Sequence, residues 1–213
     1  MATRVAMIAD MHGELPEIPA CDLIVLAGDL CWGPEHRDGR WRPDLSDEQQ
    51  YRWLCGPFAQ WIIEGTTKSG CIALVVAGNH DTCIERYGFP SIPGCRYLFN
   101  SSIYEGHHTE GMIKAWGSPC VNQWDNLAFN RREEEMSFVF AHMPPCDVAV
   151  CHSPPYGVLD NGQYLGSRAV LVAIQRVQPR LMVCGHIHEG HGIAKVGNTL
   201  VVNASRRFVV VEI

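Results

Sequence analysis

The sequence predicts a layered α/β domain, and three observations carry that expectation. Short, continuous apolar runs recur along the chain, several of them stop at Gly, Asp or His, and a few longer segments carry apolar residues at helical spacing. Apolar runs of about four to eight residues suit strands buried on both faces by flanking layers. The 213 residues are 46% hydrophobic and 19% charged, ordinary values for a globular protein, and residues 1–213 are expected to form a single domain.

Val5 to Ala9 reads as the first strand and Leu23 to Ala27 as the second. A helix is expected to start at Ser46, where Gln49 three residues on completes a capping box, and to run to about Glu64. Leu54, Phe58, Trp61 and Ile62 give it an apolar stripe facing the core. Cys71 to Ala77 is the next strand. The loop from Cys31 to Pro43 and the Gly-, His-, Asn- and Trp-rich segment from Asn100 to Asn130 show no assignable period. Irregular stretches of this length inside a compact domain are often functional.

Further on, helices are expected over Arg131 to Phe140 and Ser167 to Gln175, the second ending before Pro179. Val148 to Cys151 and Leu181 to Cys184 read as buried strands. The last stretch (Gly192 to Val196, Thr199 to Asn203, Arg207 to Ile213) reads as a meander turning at Gly197-Asn198.

Composition narrows the function classes. A formal net charge of −6 argues against a broad basic surface for long nucleic acid. It leaves room for a small phosphate ester, because bound cations can dominate a local field. Several of the ten cysteines lie inside apolar runs and no CxxC pair occurs, so free, mostly buried thiols in a reducing cytosol are expected. No apolar stretch approaches the roughly eighteen residues of a membrane span, and the run TRVAMIAD leads straight to Asp10, so no membrane partner and a cytoplasmic location are expected.

Five short motifs sit where the strand candidates end: Asp10-Met11-His12, Gly28-Asp29, Gly78-Asn79-His80-Asp81, His152, and Gly185-His186-Ile187-His188. Each alone is weak, but together they bring only Asp, Asn and His to strand ends. Residues i and i+2 of an extended segment share a face, so Asp10 and His12 can reach one ion together. His186 and His188 can face a common cavity, each toward its own ion. Asp29 can place one carboxylate oxygen on each of two metals and hold them about 3.5–4 Å apart. The preceding glycines permit sharp turns and close backbone approach.

The ordered set resembles the signature of the calcineurin-like metallophosphoesterase superfamily over residues 10 to 188. In the C-terminal half, HSPPYGVLD, QPRLMVCGHIHEGHG and VNAS, with AWGSP from Ala115, resemble the small metallophosphoesterase-domain-containing phosphodiesterases. Cys151 stands where many relatives carry Thr.

The resemblance implies a four-layer sandwich of two packed mixed sheets flanked by helices, with a metal site at the strand C-terminal ends. One metal would take Asp10, His12, Asp29 and His188, and the other Asp29, Asn79, His152 and His186. His80 would act over the substrate as acid or oxygen donor, with Asp81 orienting it. The implied activity is hydrolysis of small phosphodiesters, cyclic nucleotides among the candidates, by attack of a metal-bridging hydroxide. Two divalent ions are expected, Mn²⁺ first, with Fe, Zn²⁺, Co²⁺ or Ni²⁺ as alternatives that also suit mixed imidazole and oxygen ligands. A phosphomonoesterase or protein phosphatase, a nuclease and a non-catalytic scaffold are the rival readings. Trp32, Trp124 and Tyr156 are candidate stacking residues, and Asn122, His36 and Arg37 candidate phosphate or sugar contacts. His107, His108, His142 and His191 fall outside the motif and are read as structural or solvated.

Overall fold

The computed structural model describes residues 2–32, 47–107, 111–123 and 126–213. The elements in chain order are β1 (Arg4–Ile8), β2 (Leu23–Ala27), α1 (Asp47–Trp53), α2 (Ala59–Ser69), β3 (Ile72–Val76), α3 (Thr82–Tyr87), β4 (Cys95–Tyr97), β5 (Ser101–His107), β6 (Gly111–Ser118), β7 (Val121–Asn122), β8 (Asn130–Arg131), α4 (Glu133–Ala141), β9 (Val148–Cys151), α5 (Arg168–Val177), β10 (Leu181–Cys184), β11 (Gly192–Val196), β12 (Thr199–Asn203) and β13 (Val209–Glu212). No described helix is long and apolar enough to cross a membrane.

Two mixed sheets form the middle layers. The first runs β13-β1-β2-β3-β4, parallel except for β13, and the second runs β11-β12-β10-β9-β6-β5 with antiparallel pairs at both edges. Side chains alternate between faces along a strand, and here both faces find apolar neighbours. Val5, Met7, Val25 and Leu74 point inward against Val148, Val150, Leu181 and Val183 of the second sheet. On the outer face of the first sheet, Ala6, Ile8, Ile24, Leu26 and Val75 pack on Leu54, Phe58 and Ile62 of the helical layer. Outside the second sheet, Trp116, Ala149 and Met182 pack on Met136 and Phe140 of α4 and on Val170 and Ile174 of α5. The predicted four-layer α/β/β/α architecture is therefore the observed one.

The helix expected from Ser46 is interrupted and longer. Ser46 lies outside the described residues; α1 passes through a widened π turn at Leu54–Phe58 into α2, which ends at Gly70 with φ of 64°. Pro57 sits inside that wide turn, where a missing backbone donor costs less than in a regular helix. The unassigned region from Asn100 to Asn130 contains the β5–β6 hairpin and the small β7–β8 pair.

The expected C-terminal meander is corrected. β11 and β12 do form a hairpin through Gly197-Asn198, but β13 leaves for the other sheet and pairs antiparallel with β1. The crossing is pinned by hydrogen bonds from Ala9 N to Ala204 O and from Arg206 N to Ala9 O, 2.9 and 2.8 Å long. The chain thereby passes from one sheet to the other beside Asp10.

Candidate metal centre

The C-terminal ends of β1, β2 and β3 in one sheet, and of β9 and β10 in the other, converge on one edge of the sandwich. Asp10 follows β1, Asp29 follows β2, Asn79 follows β3, His152 follows β9, and His186 and His188 follow β10. Asp10, His12, Asp29 and His186 hold left-handed backbone, with φ of 54°, 44°, 52° and 68°. Non-glycine residues adopt this conformation uncommonly, and such positions cluster at functional sites. It turns each side chain back over the strand ends.

Three glycines make the convergence possible. A Cβ at Gly28 or Gly78 would collide with the His152 ring, the latter also with Asp29, and one at Gly185 would collide with Asp10. Only a residue without a side chain fits at each.

Two groups of potential ligand atoms result, Asp10 with His12 and His188, and Asp10 with Asp29 and His152, each confined within 4.8 Å. His188 Nε2 lies 3.3 Å from Asp10 Oδ1, His12 Nε2 lies 3.4 Å from His188 Nε2, and His152 Nε2 lies 3.2 Å from Asp29 Oδ2. The His186 ring borders the second group, 5.1 Å from that of His152. Asp29 was expected to serve both ions and Asp10 only one. In this geometry Asp10 Oδ1 is the atom near both groups, 3.8 Å from His152 Nε2. The two oxygens of Asp29 also divide differently: Oδ2 faces the cluster while Oδ1 accepts the His80 backbone N–H at 2.8 Å. Of the two, only Oδ2 thus faces the cluster.

The donor set fits a divalent cation. Among the described residues Asn79 Oδ1 is buried without a hydrogen-bond partner, an arrangement that costs about 1–3 kcal/mol unless something electropositive satisfies it. His152 Nδ1 is 2.8 Å from Ala27 O, which fixes that nitrogen as the donor and aims Nε2 into the cluster.

Electrostatics tell the same story. Burial works against charge on His152, but the Asp29 carboxylate outweighs it and lifts the imidazole to about 10. Burial likewise opposes charge on Asp29, and the His152 and His80 imidazoles outweigh it and hold the carboxyl well below its usual range. Burial, then the charge of His152, pushes His186 down to about 4, leaving a neutral imidazole ready to coordinate. A cation entering this cluster competes with protons on His152.

Asp81 is a correction. Its carboxylate does not orient His80, whose Nδ1 has no partner among the described residues. Instead it accepts the backbone N–H groups of Gly78 and Cys31, each at 2.8 Å, and of Leu30 at 3.3 Å. It staples the Asp29 loop to the Asn79 loop. Burial and the neighbouring charge of Asp29 raise it to about 6 against those three N–H bonds.

The substrate candidates fare unevenly. Trp32 lies over Gly13, beside His12, and packs against Trp53 at 4.9 Å. Tyr156 carries the Arg168 guanidinium over its ring at 4.0 Å and has Tyr164 beside it, so the expected stacking surface is already engaged within the chain. Asn122 is likewise committed: its amide donates to Leu165 O at 2.8 Å and accepts from Ser153 Oγ at 2.7 Å. Trp124, His36 and Arg37 lie outside the described residues.

Two contributors went unforeseen. Ser205 Oγ lies 2.6 Å from Asp10 Oδ2 and 2.7 Å from Asn203 Oδ1, with all three residues buried. Gln50 donates to the carbonyls of Trp32 and His80 and accepts from Cys83 N and Thr82 Oγ1, so it ties α1 to the His80 loop. A polar residue four before Leu54 on an apolar stripe was the available signal for Gln50. Replacing Ser205 with Ala is expected to weaken metal affinity about 10- to 100-fold with the fold retained, as for other groups that orient a ligand. Metal titration checks this, and a change within twofold would remove Ser205 from the site.

Comparison with known proteins gives relatives along the whole chain. A family model described as calcineurin-like phosphoesterase matches residues 3–190. The chain is 31% identical over 165 residues to metallophosphoesterase domain-containing protein 1 of Homo sapiens, covering 62% of the chain and 49% of that protein. It is 33% identical over 221 residues to a UPF0046 protein of Caenorhabditis elegans, covering 95% of the chain and 69% of that protein. Over 201 residues it is 28% identical to a probable rhamnogalacturonate lyase C of Emericella nidulans, covering 89% of the chain but only 17% of that protein. The chain thus spans half or less of the length of two of these relatives. One crystal structure, 18% identical, matches with a TM-score of 0.65 over 100% of this chain and 95% of its own, a likeness of fold.

Proposed function

The chain belongs to the calcineurin-like phosphoesterase family, and from that premise we propose that it hydrolyses small phosphodiesters with a pair of divalent cations, Mn²⁺ first among them. Membership supports metal-dependent phosphoester hydrolysis. One observation carries the reading to this chain's own residues: buried carboxylates and imidazoles from both sheets converge beside an Asn79 oxygen that nothing among the described residues satisfies.

Bound divalent cations supply an activated water near neutral pH and positive charge for the phosphoryl oxygens. The residues do the rest. Asp10, His12 and His188 form one side of the cradle, and Asp29, Asn79, His152 and His186 the other. Ser205 and the Ala27 carbonyl hold Asp10 and His152 in orientation. His80 stands at the rim, 4.9 Å from the His12 ring and with its side chain 22% exposed, where it can hand a proton to a departing oxygen.

The diester reading rests on the resemblance of HSPPYGVLD and QPRLMVCGHIHEGHG to small phosphodiesterases. Among the described residues, the partly exposed histidines of the cluster are His12, His80, His186 and His188. A rim of imidazoles offers N–H donors to the oxygens of a phosphate ester. The leaving portion of such a diester is an alcohol, in a cyclic nucleotide the ribose hydroxyl released when the ring opens, which keeps cyclic nucleotides among the candidates.

The test is turnover of bis-p-nitrophenyl phosphate and of p-nitrophenyl phosphate by metal-stripped protein, with Mn²⁺ returned in steps and bound metal counted. Diester hydrolysis rising with about two bound ions is the expected result. Monoester turnover in excess would replace the diester assignment with a phosphomonoesterase, and metal uptake without turnover of either would make the chain a binding protein.

A further inference from the structure

We propose that Cys21 and Cys71 form a reactive dithiol, a modification site that exchanges with a low-molecular-weight disulfide such as oxidised glutathione and closes to a Cys21–Cys71 disulfide. The site lies at the starts of the strands, at the opposite end of β2 and β3 from the metal ligands. β2 and β3 are parallel with Leu23 opposite Ile72, so Cys71 stands next to Asp22, and Cys21 one residue earlier. Cys21 and Cys71 pack in the same cluster on the outer face of the first sheet, where each thiol interacts with the other and with Ser69.

Each cysteine also lines a hollow, Cys71 being half-buried and Cys21 8% exposed. Cys71 lines a cavity of about 160 Å³ between the sheets, walled by Leu23, Leu74, Ile103 and Ala115. Cys21 lines the neighbouring groove with Pro16, Trp61 and Lys68. Asp22 borders both hollows.

Chemistry separates this pair from the others. The hydrogen bond from Cys71 outweighs burial and holds the Cys21 thiol down to about 7, with Ser69 and the Leu23 backbone assisting and the Asp22 carboxylate opposing. A substantial thiolate fraction at neutral pH is what makes a cysteine nucleophilic. Cys71 is pushed the other way, first by its bond to Cys21, so it keeps its proton until Cys21 has reacted. Cys31 and Cys83 provide the contrast. Their sulfurs are 4.0 Å apart, yet both residues are fully buried, and burial drives the Cys31 thiol well up.

The exchange balances in two steps. The Cys21 thiolate attacks one sulfur of the small disulfide, its S–S bond breaks, and one thiolate leaves. Cys71 then loses its proton and attacks the Cys21 sulfur of the mixed disulfide, which expels the second small thiolate. The protein gives up two electrons and two protons, and the disulfide becomes two thiols.

The experiment is exposure of the full folded chain to oxidised glutathione at neutral pH, alkylation of remaining thiols, and peptide mapping by mass spectrometry. The expected product is a Cys21–Cys71 linked peptide pair two hydrogens lighter than its parts, with Cys31 and Cys83 alkylated only after denaturation. Cys71→Ser is expected to stop at the glutathione adduct on Cys21. Cys21→Ser is expected to slow glutathione adduct formation at this pair by about tenfold or more, because the attacking thiolate is gone. A native chain in which Cys21 stays unmodified, or whose Cys71→Ser variant passes the adduct on to another cysteine, would overturn the proposal.

Discussion

Asp29→Asn is expected to lower kcat/KM for bis-p-nitrophenyl phosphate by about a thousandfold or more and to lower the bound metal with it. The carboxylate is buried and uses both oxygens, Oδ1 for the His80 N–H and Oδ2 toward the cluster. An amide has one acceptor to offer. If its oxygen stays on the His80 N–H, an NH₂ group points at the cations. If it turns, two N–H groups face each other at a cost of about 1–3 kcal/mol. The unit of negative charge that balances His152 is lost in either case. Metal analysis alongside steady-state kinetics checks the result. A variant that kept its metal and came within tenfold of the parent would show that Asp29 does not hold the ions.

His80→Ala should separate chemistry from metal binding. The loop that bears His80 is held by its backbone, through the N–H to Asp29 and the carbonyl to Gln50, and by the Asp81 staple. None of these involves the imidazole, so the fold and the metal content are expected to remain. Turnover is expected to fall about 10²- to 10⁴-fold, the range typical of a lost general acid. The loss should be larger for an alkyl leaving group than for nitrophenolate, which departs without a proton. Equal losses on both leaving groups would reduce His80 to electrostatic support, and full activity on the alkyl diester would remove it from the reaction.

Much of the layered fold was legible because its central strands are buried on both sides. Leu23 to Ala27, Val148 to Cys151 and Leu181 to Cys184 have no polar face to blur them, so the apolar run and the strand coincide. The edges were harder. β5 carries Ser101, Ser102, Glu105 and His107, and in such a strand pairing with β6 outweighs the sequence pattern. The destination of β13 depends on hydrogen bonds made around Ala9 and Ser205, nearly two hundred residues apart, which no local period encodes.

The same divide runs through the site. Asp10, Asp29 and His152 stood out because polar residues ending apolar strands have few structural uses. Asp81 was ambiguous because a carboxylate beside a histidine can orient the ring or bind backbone, and spacing does not say which. Ser205 lay in the VNAS run that carries the resemblance, but its partner is distant in sequence and its own type is common, so its role was not legible.

The left-handed backbone at Asp10, His12, Asp29 and His186 restricts more than shape. Asp, Asn and His are the residues besides glycine that tolerate this conformation best, and they are also oxygen and nitrogen donors. A branched residue would be strained there, and cysteine lacks the local polar compensation that eases the fit. The chain path thus acts as a filter on donor chemistry before any ion arrives. Descendants of this scaffold can exchange Asp for Asn or His at little conformational expense, and so retune charge and ligand field, while drift toward thiolate coordination and the thiophilic ions it selects is uphill.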